Sequence, residues 1–405
     1  MQQNISLNEI GLSKKAPQKN AFFNLAFRPF FLGASIFLIV SLTLWMAVYG
    51  RHVQLSLTTV TPAQWHAHEM LFGYAFAVIA GFLLTAVKNW TGIQTLHGKP
   101  LFALFTLWCF ARLTMLIAPN LIAVAAALDI AFNLALAYAV AAPIIKVKQW
   151  RQLGILAKIA ILTLANAAFY AQALGLLANG AHIGIIVGLY LTISLILVIS
   201  RRVAPMFIER GVKEKVVLKQ FKWLDISIML FLVALLFNEL VTQSAPVSIL
   251  MGILLFLANG FRLFNWHTKG IWKVPLLWSL YCGLWLINLG FLLLALSYIT
   301  SAVSIIFAMH LWAIGGIGLM TLAMMTRVSL GHTGRSIHEP PKLMPYAFGI
   351  IIAGALIRAV LPIFVSQYYL AWVIGAYFCW VIGFALFFIQ YYRILTKPRI
   401  DGAFG

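Results

Sequence analysis

The chain is poor in acid. Only nine Asp and Glu stand among 405 residues, and charged residues of both signs make up 9% of the whole. No polar stretch is long enough for a separate soluble domain. Cysteine is equally scarce. Cys109, Cys282 and Cys379 fall within apolar segments and have no partner nearby in sequence. That excludes a disulfide framework and reads as small packing residues. Gly331 and Gly334 flank a histidine, but no P-loop pattern follows, so this is a tight loop and not a phosphate cradle. The first nineteen residues are too polar for the apolar core of a signal peptide. Residues 1–20 are expected to form a disordered cytoplasmic tail.

What is abundant is apolar. Hydrophobic residues make up 63% of the chain and mean hydropathy is +0.96, which places it in a lipid bilayer. Breaking the apolar runs at charges, prolines and glycine clusters gives twelve spans. They lie near 29–50, 63–87, 100–118, 121–145, 154–177, 182–200, 223–241, 246–264, 274–297, 302–326, 343–364 and 368–392. The expected fold is all-α: a polytopic membrane protein of about twelve transmembrane helices with both termini cytoplasmic. Residues 21–400 form a single transmembrane domain, split six plus six by a central cytoplasmic loop near 201–222. No convincing repeat relates the halves.

The net charge of +20 raises the question of nucleic acid. Its distribution answers it. With twelve spans and an inner N-terminus, all but three of the 29 Lys and Arg fall on the inner side. The exceptions are Arg51 in an outer loop, and Arg112 and Arg358 within spans. Basic residues collect in cytoplasmic loops, so the charge signals orientation and no nucleic-acid partner.

An ionisable side chain inside a bilayer costs roughly 2.5–3.5 kcal/mol on insertion scales and is usually functional. The segment Trp65-His66-Ala67-His68-Glu69-Met70 puts two imidazoles and a carboxylate at the mouth of a span, the makings of a metal or haem site. Histidines at i and i+2 point to opposite sides of a helix. Either one precedes the first helical turn, or each serves a different centre. Arg112, Asp129, Asn133, His182, Glu239, His310 and Arg358 all fall in the outer halves of their spans, which suggests one polar centre. Arg112 and Arg358 would suit haem propionates, or they snorkel, or they pair with Glu69 and Asp129. His182 and Glu239 sit near loops, where solvation explains them. His310 shares a helical stripe with Ile314, Ile317, Thr321 and Met324, and Gly315, Gly316 and Gly318 beside it allow either close helix packing or room for a flat macrocycle.

A second group lies at the inner face: His97, Arg201, Arg202, His267, His332 and Arg335. It is either an ordinary basic surface with belt aromatics or a second site using His267 and His332. His310 and His332 are 22 positions apart on one helix, on the order of 30 Å, too far to share one metal or haem.

These stretches resemble the NnrS family of bacterial membrane proteins. The matching pieces are Phe27-Arg28-Pro29-Phe30-Phe31-Leu32, the long block from His66 to Gly92, Arg201-Arg202-Val203-Ala204-Pro205, and the run from His310 to Arg335. The resemblance implies an inner-membrane protein with haem b and copper that binds or processes nitric oxide and protects against nitrosative stress. It names no electron donor. The shared outer depth of the histidines gives the expectation that His66 or His68, with His310, holds the haem. Many relatives carry histidine in the stretch matching 277–281. Here the residue is Tyr281, which weakens a copper assignment or offers a phenolate. The chain has no His-His pair and no histidine in the seventh span, so it is not a respiratory haem-copper oxidase. The alternative is a polytopic transporter with a buried polar site around Asp129 and Glu239 and no redox cofactor.

Overall fold

The computed structural model describes residues 21–54 and 59–405. The expected tail at 1–20 lies outside the described residues. Twelve helices are long and apolar enough to cross a membrane, and no strand occurs among the described residues. They are α1 (Phe27–Tyr49), α2 (Pro62–Thr91), α3 (Lys99–Ile117), α4 (Ile122–Lys146), α5 (Trp150–Ala173), α6 (Gly180–Gly211), α7 (Lys222–Thr242), α8 (Ala245–Trp266), α9 (Pro275–Ile299), α10 (Ile305–His332), α11 (Met344–Phe364) and α12 (Ser366–Thr396). An even number of spans puts both ends of the bundle on one side, called here the terminal face. The opposite side is the far face.

The central connection is shorter than the charge pattern implies. Helix α6 does not end near residue 200 but runs 32 residues to Gly211. That is about 48 Å of helix, against roughly 30 Å of hydrocarbon. Charge ends the membrane layer without ending the helix, because Arg, Met and Glu are good helix formers. Arg201 and Arg202 therefore stand on ordered helix, and the connection contracts to 212–221.

Three helices form the middle. In their most apolar stretches α2 is 83%, α10 72% and α6 67% buried, while each other span is half buried or less. The three touch one another, and the remaining nine surround them, with α12 closing against α1. Small residues let the helices approach. Gly180 and Gly184 press on the backbone carbonyls of Ala168 and Ala165, where a Cβ would overlap, so α5 and α6 meet backbone to backbone. Gly315, Gly316 and Gly318 serve the same purpose. A Cβ would lie 2.8 Å from Leu286, 2.6 Å from Ile287 and 2.9 Å from Trp380 respectively. Of the two readings of this glycine stripe, the structure shows close packing.

Three spans change hydrogen-bond pattern midway and adopt π geometry: α2 at Glu69–Ala75, α7 at Asn238–Thr242 and α10 at Leu311–Gly318. Two of these segments begin immediately after His68 and His310, and the third contains Glu239. Such wide turns are rare and concentrate at functional sites.

Candidate functional site

Helix α2 begins at the far face with a capping box. The Thr61 side chain accepts from the Gln64 amide, the Gln64 side chain accepts from the Thr61 amide, and Pro62 opens the helix. Both histidines thus lie within regular helix, and they part company. His66 stacks flat on Trp45 of α1, with ring centroids 4.5 Å apart and planes 9° apart. His68 turns the other way, into α3, α4 and α5.

His68 belongs to a closed ionic cluster. Its Nδ1 is 2.8 Å from Glu69 Oε1 and its Nε2 is 2.8 Å from Asn166 Oδ1. Arg112 donates from Nη1 to the same Glu69 oxygen at 2.7 Å, and its Nη2 pairs with Asp129 Oδ2. Asn166 Nδ2 and the Tyr170 hydroxyl donate to Asp129 Oδ2 at 3.1 and 3.0 Å. His68, Glu69 and Asp129 have no exposed surface. Both His68 nitrogens face oxygen atoms. Arg112 sets its positive charge against the two carboxyl groups, as buried charges in a low dielectric require. In this arrangement both His68 ring nitrogens have protein partners and Arg112 is directed at Glu69 and Asp129, with its buried Nε unpartnered. Arg112 takes the third course open to it, pairing with Glu69 and Asp129.

A second group assembles across α2, α10 and α11. His66 and His310 lie four and five residues from the starts of their spans and so at one depth. Arg358 lies within electrostatic reach of both rings, and the rings are within reach of each other. His310 donates from Nδ1 to the Ile306 carbonyl at 2.8 Å, which fixes its tautomer and leaves Nε2 to accept. Metal-ligating histidines are commonly oriented in this way. The buried His66 Nδ1 has no hydrogen-bond partner. Arg358 donates from Nη2 to the Tyr369 hydroxyl at 3.0 Å, while its buried Nη1 has no partner. Neither histidine ring is fully covered by its neighbours.

The polar residues of the far half thus form separate centres instead of one. The third is structural in pattern. Glu239 accepts from Ser248 at 2.6 Å and from Tyr298 at 3.1 Å, and joins α7, α8 and α9. His182 is exposed.

At the terminal face the expected second site is dispersed. His267 is exposed at the end of α8 and accepts from Trp272 Nε1 at 3.1 Å. The His332 ring packs against Phe27 at 5.8 Å, and its carbonyl accepts from Arg399 Nη1 at 3.2 Å. Tyr281 donates to the Leu263 carbonyl at 3.0 Å, a tie between α9 and α8. Arg202 binds Gln152 at 2.6 Å, Arg335 reaches the Thr333 carbonyl at 3.4 Å, and His97 contacts the Thr95 carbonyl at 3.1 Å. Arg201 pairs with Asp225. Deeper in the bundle a partly open apolar pocket lies among α1, α2, α6, α9 and α10, lined by Phe31, Phe82, Leu195, Met320 and Met324.

Sequence reasoning missed Asn166 and Tyr170 because neutral polar residues do not break an apolar run. Their depth on α5 matches that of Asp129 on α4, and that match was the available signal. Trp45 and Tyr369 carry no signal apart from belt composition.

The donor sets differ in what they fit. A haem brings four ligands of its own and asks the protein for one or two imidazoles, a demand that the donor set of His66 and His310 fits. A protein-bound copper ion needs more donors, and no group of three or more His, Cys, Asp or Glu able to hold a metal occurs among the described residues. No curated protein matches the chain closely enough to stand as a named relative. The profile of the family described as NnrS protein does match, over residues 21–399, and on that nearly complete coverage the chain belongs to the NnrS family.

Proposed function

We propose that this protein is a bacterial inner-membrane haem protein that binds nitric oxide and protects against nitrosative stress, with His66 and His310 as the residues that would hold haem b. Membership of the NnrS family is what suggests haem and nitric oxide. The observation that carries the assignment of residues is the pairing of His66 and His310 at one depth, beside an arginine with an unpartnered buried nitrogen. His310, pinned through Nδ1 to Ile306, is the firmly oriented ligand. His66 is held only by stacking on Trp45 and is the more exchangeable of the two. Arg358 offers Nη1 to a propionate while Tyr369 holds Nη2. When bound, haem iron supplies the coordination of nitric oxide. The residues of the chain orient the imidazoles, neutralise the carboxylate and wall the site off from lipid. The apolar lining of the deeper pocket suits an uncharged diatomic and supports the reading without carrying it. The copper that the family suggests is given no site, since the donors described do not fit it.

The test is an optical spectrum of the purified protein, reduced, before and after nitric oxide, with iron measured on the same sample. Haem bands that shift on adding the gas are expected. A featureless spectrum without iron would overturn the reading and return the chain to the transporter alternative, with the buried Glu69–Arg112–Asp129 cluster as its polar site.

A further inference from the structure

At the terminal face, where the two six-span halves meet, one carboxylate serves two guanidinium groups. Asp225 on α7 pairs through Oδ2 with Arg201 Nη1 of α6 at 3.0 Å and through Oδ1 with Arg262 Nη2 of α8 at 2.8 Å. Lys219 lies in the same pocket, so three cations face one anion. Arg262 is only 5% exposed, and its buried Nε has no partner. A guanidinium this deep, with half a carboxylate to itself, is left short of negative charge.

The cavity beside these groups has two parts. A narrow polar pocket is lined by Arg201, Lys219, Gln220, Arg262, Asn265 and Trp266. It shares Arg201, Asp225 and Arg262 with a trough of about 570 Å³. The trough continues along Leu197 and Val198 of α6 and Met229 and Leu230 of α7. Leu197 lies one turn deeper than Arg201, and Met229 one turn deeper than Asp225. The cavity is therefore basic at its head and apolar along its stem, and the stem runs into the membrane. Leu230 and Ile226 are largely exposed, so the trough opens toward lipid.

We propose that this cavity binds an anionic phospholipid, with the phosphate group on Arg201, Arg262 and Lys219 and an acyl chain between α6 and α7, joining the two halves of the bundle. A guanidinium fork matches phosphate oxygens in pairs. Basic pockets between transmembrane helices bind acidic headgroups in this way. The excess of positive charge selects an acidic lipid over a zwitterionic one, and the trough selects a lipid over free phosphate.

Native mass spectrometry of the full chain in detergent tests this, with phosphatidylglycerol, phosphatidylcholine or inorganic phosphate added. Retained phosphatidylglycerol well above phosphatidylcholine is expected. One cation near the surface is worth about 1 kcal/mol, so Arg201→Gln and Lys219→Gln should each lower retention about fivefold. Leu197→Trp fills the stem without touching charge and should lower lipid retention while the polar pocket stays intact. If Arg262→Gln does not fold, these three variants still decide the matter. Equal retention of both lipids, or no change in any variant, overturns the proposal. Displacement of the lipid by millimolar phosphate, with Leu197→Trp neutral, overturns it in favour of a soluble phosphate site.

Discussion

Arg112 and Arg358 illustrate how far a single residue can be read. Both are arginines about six residues from the far ends of their spans, and composition treats them alike. Arg112 pairs with the carboxyl groups of Glu69 and Asp129, whereas Arg358 faces two histidines and a tyrosine hydroxyl and has no acid partner. The difference lies in what neighbouring helices bring, which a single chain does not display. The same holds for His66 and His68. Their opposite directions follow from a spacing of two on a helix, but the identities of Trp45 and Asn166 as their partners do not. Removing Arg112 leaves Glu69 and Asp129 buried without their guanidinium partner, which costs about 3–5 kcal/mol. Arg112→Ala should therefore melt far below the wild type in detergent, as followed by tryptophan fluorescence. An unchanged melting temperature would show that the cluster is hydrated and not a structural clamp.

Whole elements were far more legible. Twelve apolar runs, broken at charge and at Pro and Gly clusters, match twelve helices to within a few residues at most ends. The signal is strong because a helix in lipid must satisfy every backbone group internally and must be long enough to cross. Two features escaped it. One is the extension of α6 to Gly211, because charge marks the edge of the membrane and not the end of the helix. The other is the set of π segments, whose cause is an extra residue accommodated by packing and which have no composition of their own. The segment Leu311–Gly318 sets the angle between His310 and the rest of α10. Deleting Ala313 would restore α-helical pairing and turn His310 by about 100° relative to the glycine face packed on α9. Such a deletion should leave a folded, monodisperse protein by size-exclusion chromatography with its haem absorbance lost. Wild-type absorbance would mean that the wide turn plays no part in placing His310.

For the molecule as a whole, helix count and charge make a joint statement about orientation. Nearly all basic residues lie on the face that carries both ends of the bundle, and that face is expected to be cytoplasmic. Alkaline phosphatase fused after residue 396 should be inactive, and fused in the 50–61 connection it should be active. The reverse pattern would place the His66–His310 level on the cytoplasmic side. The arrangement of three buried helices within nine others could not be read from the chain, because α2 and α10 are no more hydrophobic than several spans that face lipid, and only α6 stands out. Yet that arrangement brings the two histidine-bearing spans together across more than two hundred residues of sequence.

That pairing is the centre of the account, and haem content in three single variants tests it most directly. His66→Ala, His310→Ala and His68→Ala would be purified alike and their haem measured per chain by pyridine haemochrome and by the low-spin signal in electron paramagnetic resonance. His310→Ala should lose haem, His66→Ala should lose the low-spin signal, and any folded His68→Ala should keep both. Full low-spin haem in the first two variants, or its loss in a folded His68→Ala alone, would contradict the pairing.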